Sequence, residues 1–170
     1  MAAGLLAVWS LLNAGRDRRS LFAFNVSHVA WGLLSAFFLY AVFWAGDHLS
    51  RTILDFATGQ IESIYSRKEQ LAFWKIALLL FFIIAPAEEI FWRGMVQRVI
   101  SVKTGAIWGW LAAALIYAAV HLWAANFVLF MAALICGLFW GWIYMKFGTL
   151  WPGIVSHAVW DLLIFLVVPL

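Results

Sequence analysis

Charge is what this chain has least of. Only 11% of its 170 residues are Asp, Glu, Lys or Arg, while 66% are hydrophobic. A water-soluble domain of this size cannot cover itself with so little charge, so the composition points to an integral membrane protein. Cysteine is nearly absent. The single Cys136 excludes an internal disulfide and a cysteine-rich metal site, and inside an apolar run it reads as a small buried hydrophobe. Strand-like alternation is missing, and the long apolar runs favour helices over a barrel. No glycine-rich phosphate loop is present; Gly105-Ala106-Ile107-Trp108-Gly109 reads as a packing pattern. The net charge is only +3, and the basic residues lie at segment ends, where they set topology and give no reason to expect nucleic acid. Tryptophan, by contrast, is plentiful. Trp44, Trp74, Trp108, Trp110, Trp123 and Trp151 stand near the ends of apolar runs, as interface anchors do.

These patterns predict an all-α fold, a polytopic transmembrane bundle forming one membrane domain over residues 1–170. About six spans are expected: 1–14, 21–45, 71–100, 105–124, 127–146 and 150–168. The first reads as a short or truncated helix. Arg16, Arg18 and Arg19 follow its apolar core, whereas a signal peptide carries its positive charge before that core. His28 beside Ser27 reads as a packing residue, and the acceptor pattern Asn25-Val26-Ser27 lies inside a span and is unusable. Residues 46–70 mix apolar and charged positions as an amphipathic interfacial connector would, broken near Gly59. Pro86 should kink the 71–100 span, because proline removes one backbone hydrogen bond. Short turns after 102, 124 and 146 force antiparallel neighbours, and Ala133, Gly137 and Gly141 share a face suited to close helix contact. With the 15–20 loop cytoplasmic, Lys103 and Lys146 fall on the same side, and Arg51, Arg67 and Lys68 on the other.

Against this background Glu88, Glu89 and Arg93 need a reason. A charged side chain near the bilayer centre costs about 2.5–3.5 kcal/mol on insertion scales, so an ionisable cluster there is a functional signal. Glu89 and Arg93 are four apart and share a helix face, so they can neutralise each other. Glu88 points about 100° away and is left to face a cavity. Counted from the turn near residue 104, Glu88 and His121 stand at nearly the same depth, with Tyr117 one turn from His121. His157 and Asp161 form another pair four apart, but their depth does not match Glu88 by the same count. Two chemistries fit these groups. Glu88 and His121 could activate a water for attack on a carbonyl, with His157 and Asp161 stabilising the oxyanion or orienting the substrate. Alternatively Glu88, His121 and His157 could hold a zinc ion that activates the water. Ser156 lies next to His157 and cannot face it on a helix, so no nucleophile arrangement persuades. A binding or immunity protein using the cluster for helix association, and a proton pathway, are the readings outside catalysis.

The ordered set Glu88-Glu89-x-x-x-Arg93, Tyr117-x-x-x-His121 and His157-x-x-x-Asp161 resembles the CAAX-protease and bacteriocin-processing family of intramembrane endopeptidases, which includes the type II CAAX prenyl endopeptidases. The match covers residues 71–165, the expected catalytic core; residues 1–70 show nothing diagnostic. The resemblance implies a helical-bundle protease with its site inside the membrane. Glu88 and His121 would activate water, Glu89 and Arg93 would support the site, and His157 and Asp161 would bind substrate or stabilise the oxyanion. It implies either no cofactor, as in a glutamate peptidase, or zinc. Its partners would be a membrane-associated protein or peptide substrate and the lipid bilayer, in a compact prokaryotic form resident in the cytoplasmic membrane. The substrate classes linked to the family are prenylated C-terminal motifs, bacteriocin leaders and sorting tails, and a compact prokaryotic form argues against prenylated ones. Two residues depart from the family pattern. Tyr117 stands where phenylalanine is commoner, and Asp161 where asparagine often ends the motif. An ionised aspartate cannot donate to an oxyanion, so Asp161 would be protonated, orient His157 or favour a metal.

Overall fold

The computed structural model of the chain describes residues 2–13, 18–66 and 72–170, and every regular element among them is helical. The all-α bundle is therefore as the composition predicts. A short α1 (Ala2–Asn13) and a single-turn α2 (Arg18–Leu21) precede the long α3 (Val26–Ile53). Asn25 caps α3 by accepting from the Ser27 amide at 2.9 Å, and the Asn25 amide donates to His28 Nδ1 at 3.1 Å. His28 thus completes a reciprocal cap, and its ring packs edge-on against Phe147 with centres 6.0 Å apart, so it is the satisfied packing residue expected.

α3 runs past residue 45, where its span was expected to end, because its polar tail is satisfied within the helix. Arg51 Nε meets Asp47 at 2.8 Å, and the Ser50 and Thr52 hydroxyls donate to carbonyls of the preceding turn. The break comes at Leu54, in extended conformation, and Gly59 lies inside the next helix, α4 (Ala57–Tyr65). α4 is tied down. Asn126 Nδ2 donates to the Gln60 carbonyl at 2.8 Å and to Ser63 Oγ at 3.1 Å, while the Val128 amide donates to Gln60 Oε1 at 3.0 Å.

The helical segment from Phe73 to Thr104 is not one regular α-helix. It comprises α5 (Phe73–Leu79), a π-turn over Leu80–Ile84, α6 (Ala85–Phe91), a second π-turn over Trp92–Gln97, and α7 (Arg98–Thr104). Pro86 sits in the first turn of α6, so the irregularity expected from proline takes the form of a widened turn just before it. α8 (Ala106–Ala119) tightens into a 3₁₀ turn over Val120–Ala124. α9 (Phe127–Phe147) stops at Gly148, whose positive φ of 67° suits a residue without a side chain. α10 (Trp151–Leu162) follows and ends in a π-turn over Leu163–Val167.

Among the described residues, three helices are long and apolar enough to cross a membrane: Val26–Ile53, Ala106–Ala124 and Phe127–Phe147. Large apolar side chains such as Phe37, Phe38, Trp108 and Leu115 are exposed on the bundle's outside, as expected of a lipid-facing surface. Small residues bring the helices together. A Cβ on Gly137 would lie 3.1 Å from Ala114 Cα, and one on Gly141 2.9 Å from Gln97 Oε1, so the face expected to make close contact does so. Gly32 does the same for α3 against α10, 3.1 Å from the Pro152 carbonyl. One end of the bundle gathers the segment after α2 and the turn before α10: Leu150 N and Thr149 Oγ1 both donate to the Leu21 carbonyl at 2.9 Å. Lys103 and Lys146 close α7 and α9 towards that end, as the charge pattern predicts; Arg16, Arg67 and Lys68 lie outside the described residues.

Candidate active site

α6 carries Glu89 and the π-turn that follows it carries Arg93, four residues on, and Glu89 Oε1 accepts from Arg93 Nη1 at 2.8 Å. The same oxygen faces His157 Nδ1 of α10 at 2.9 Å. α10 comes this close because Gly153, one turn before His157, has no side chain: a Cβ there would stand 2.9 Å from Glu89 Oε2. On its other edge His157 Nε2 is 3.6 Å from Asp161 Oδ2, a charge contact too long for a hydrogen bond. α9 closes the cluster. Trp140 stacks on the His157 ring at 3.7 Å and 16°, and its Nε1 donates to Ser156 Oγ at 3.1 Å. The Arg93 guanidinium lies over the rings of Tyr117 and Trp140, 5.1 and 5.5 Å from their centres, and donates to the Cys136 carbonyl at 3.4 Å. Glu89, Arg93, His157 and Asp161 are all buried, none more than 4% exposed. Such a set survives burial only because each charge has a partner.

Glu88 lies about 100° round the helix from Glu89 and is half-buried. Its Oε2 accepts from the Tyr117 hydroxyl at 3.1 Å. His121, also half-buried, lies in the 3₁₀ turn that ends α8, and its Nδ1 is 2.8 Å from the Tyr117 carbonyl oxygen. A carbonyl only accepts, so Nδ1 carries a proton, and in the neutral ring Nε2 then holds the lone pair. Glu88 and His121 make no direct hydrogen bond; Tyr117 touches both, Glu88 through its hydroxyl and His121 through its carbonyl. His157, whose depth the count could not close, meets Glu89 and not Glu88.

Sequence reasoning missed Trp140, the Cys136 carbonyl and the space left by Gly153. Trp140 could have been suspected, because it stands in the interior of an apolar run while the anchoring tryptophans stand near the ends. Ser156 indeed turns away from His157 and receives Trp140 instead. The zinc shell of Glu88, His121 and His157 is not assembled. Both His157 nitrogens face carboxylates, and among the described residues no three His, Cys, Asp or Glu side chains are placed to hold a metal ion. Two cavities, of about 690 Å³ beside α4 and α5 and about 210 Å³ between α3, α4, α9 and α10, are lined by neither Glu88 nor His121.

An all-α membrane bundle that brings a glutamate pair with arginine, a tyrosine–histidine turn and a histidine–aspartate turn into one cluster has the make-up of an intramembrane protease of the CAAX type. The chain belongs to the type II CAAX prenyl endopeptidase Rce1-like family, whose model matches residues 70–163, more than half its length. Membership makes it a CAAX-type protease at the level of the family. No curated protein and no solved structure matches it.

Proposed function

We propose that this chain is an intramembrane endopeptidase in which Glu88 and His121 activate a water to hydrolyse a peptide bond of a membrane-associated protein or peptide. The observation that carries this reading is the asymmetry between two adjacent carboxylates. Glu89 is fully committed to Arg93 and His157. Glu88 is half-open, its Oε1 without a hydrogen-bond partner among the described residues, and His121 Nε2 is likewise free. A water between those two atoms has a carboxylate and an imidazole lone pair to take its proton. Hydroxide then adds to the carbonyl carbon, and the proton passes to the leaving amine as the C–N bond breaks. His157 and Asp161 support this arrangement from behind by fixing Glu89 and the face of α6 it occupies.

The test compares N- and C-terminal peptide ends in membranes carrying the wild type or Glu88→Gln at matched protein level. New ends confined to the wild type establish proteolysis and identify the bond cut. Identical ends, with both proteins folded, overturn the reading in favour of a non-catalytic membrane role.

A further inference from the structure

Tyr117 stands where the resembled family more often has phenylalanine, and its extra atom is the one that touches Glu88. We infer that Tyr117 is a positioning residue: its hydroxyl takes Glu88 Oε2 and leaves Oε1 as the oxygen that faces the reacting water. The inference rests on the proteolytic reading above.

Three contacts hold the ring where it is. Trp92 packs on it edge-on with centres 5.2 Å apart, the Arg93 guanidinium lies over it at 5.1 Å, and the His121 ring meets it edge-on with centres 5.1 Å apart. The ring is only 7% exposed. The hydroxyl is thus delivered by a side chain with little freedom to move, as a preorganised donor must be. Its hydrogen goes to a carboxylate oxygen, so the contact fixes the rotation of the Glu88 carboxylate about its last torsion, otherwise a soft one. The same residue fixes His121 through its main-chain carbonyl, 2.8 Å from Nδ1. Both water-activating groups are therefore referenced to Tyr117, one through the side chain and one through the backbone. Tyr117→Phe separates the two. It removes the hydroxyl while keeping the ring's packing and the carbonyl that holds His121.

The experiment uses the full chain purified in detergent as wild type, Tyr117→Phe, Glu88→Gln and Tyr40→Phe. Tyr40 is the control, since its hydroxyl donates to the Val168 carbonyl at 2.9 Å, away from the cluster. Infrared carboxyl bands are assigned to Glu88 by their loss in Glu88→Gln. These bands are expected to shift in Tyr117→Phe and stay in place in Tyr40→Phe. Kinetics on a synthetic peptide spanning the bond identified from the membrane comparison should show kcat lower by about tenfold in Tyr117→Phe, the lower end of what a hydrogen bond to a charged group is worth, with KM and thermal midpoint unchanged. Unshifted bands, or an undiminished kcat, overturn the role of Tyr117 while leaving proteolysis standing. A fall in kcat matched by a fall in thermal midpoint overturns it too, in favour of a purely structural hydroxyl. A band shift with no cleavage by the wild type sinks the proteolytic reading instead, and the positioning role with it.

Discussion

Glu89 retains 1% of its surface and shares one oxygen between an arginine and a histidine; Glu88, the residue before it, is half-buried and meets a single hydroxyl. One step along a helix turns a side chain by about 100°, and here that step separates a side sealed by α9 and α10 from a side left partly open beside α8. On the sealed side Arg93, His157, Trp140 and the Cys136 carbonyl each have a neighbour in hydrogen-bond or stacking contact. The open side keeps two unsatisfied atoms, one on Glu88 and one on His121. Adjacent residues of identical chemistry can therefore have different work, decided by what the next helices bring.

The largest effect that would break this contrast is on rate. Glu88→Gln should lower cleavage by about 10²–10⁴-fold, the range of a lost general base, while moving unfolding stability by no more than about 0.5 kcal/mol. His121→Ala should behave the same way, and both are read as cleavage rate beside the thermal midpoint. Loss of fold in either variant would place Glu88 on the structural side. Next comes the reverse case. Glu89→Gln leaves Arg93 buried with its charge uncompensated and should cost about 3 kcal/mol of stability, seen as a lower thermal midpoint and reduced protein in the membrane. His157→Ala should follow it in direction.

The site's logic was partly legible before any geometry. Glu89 and Arg93 declared themselves by a spacing of four, and the separate face of Glu88 follows from helix rotation alone. Local periodicity carries that kind of information. The meeting of His157 with Glu89 is tertiary: it depends on the missing side chain of Gly153 and the tilt of α10, neither of which a linear count contains. The two π-turns in the Phe73–Thr104 segment escaped for a similar reason, since Leu80-Phe81-Phe82-Ile83-Ile84 reads as ordinary apolar helix. The length of α3 was underestimated because polar residues 46–53 look like a connector until their hydrogen bonds inside the helix are seen.

Smaller changes sharpen the comparison within the sealed side. Gly153→Ala sets a methyl 2.9 Å from Glu89 Oε2, an oxygen whose carboxylate is already pinned, and should destabilise by about 2 kcal/mol by pushing α10 off α6. Chemical unfolding of the purified variant measures it. Trp140→Phe keeps a ring against His157 but strands Ser156 Oγ, for a loss of about 1 kcal/mol and little change in cleavage rate. The smallest expected effect is that of a chelator. Glu88, His121 and His157 do not converge, so chelation before the cleavage assay should leave the rate unchanged.

The wide turns on either side of α6 set its angular phase. Each π-turn takes up one residue more than regular helix would, so the order in which Glu88, Glu89 and Arg93 come round to face their neighbours is fixed by local residue count as well as by residue identity. Deleting the extra residue from Leu80–Ile84 would close the wide turn to regular helix and keep the acidic pair in phase with α5, whereas deleting one from regular helix within Phe73–Leu79 would swing the pair by about 100° relative to the residues before it. In this family member the wide turns absorb a residue that regular helix would convert into a rotation. Chain length there is a parameter of the active site.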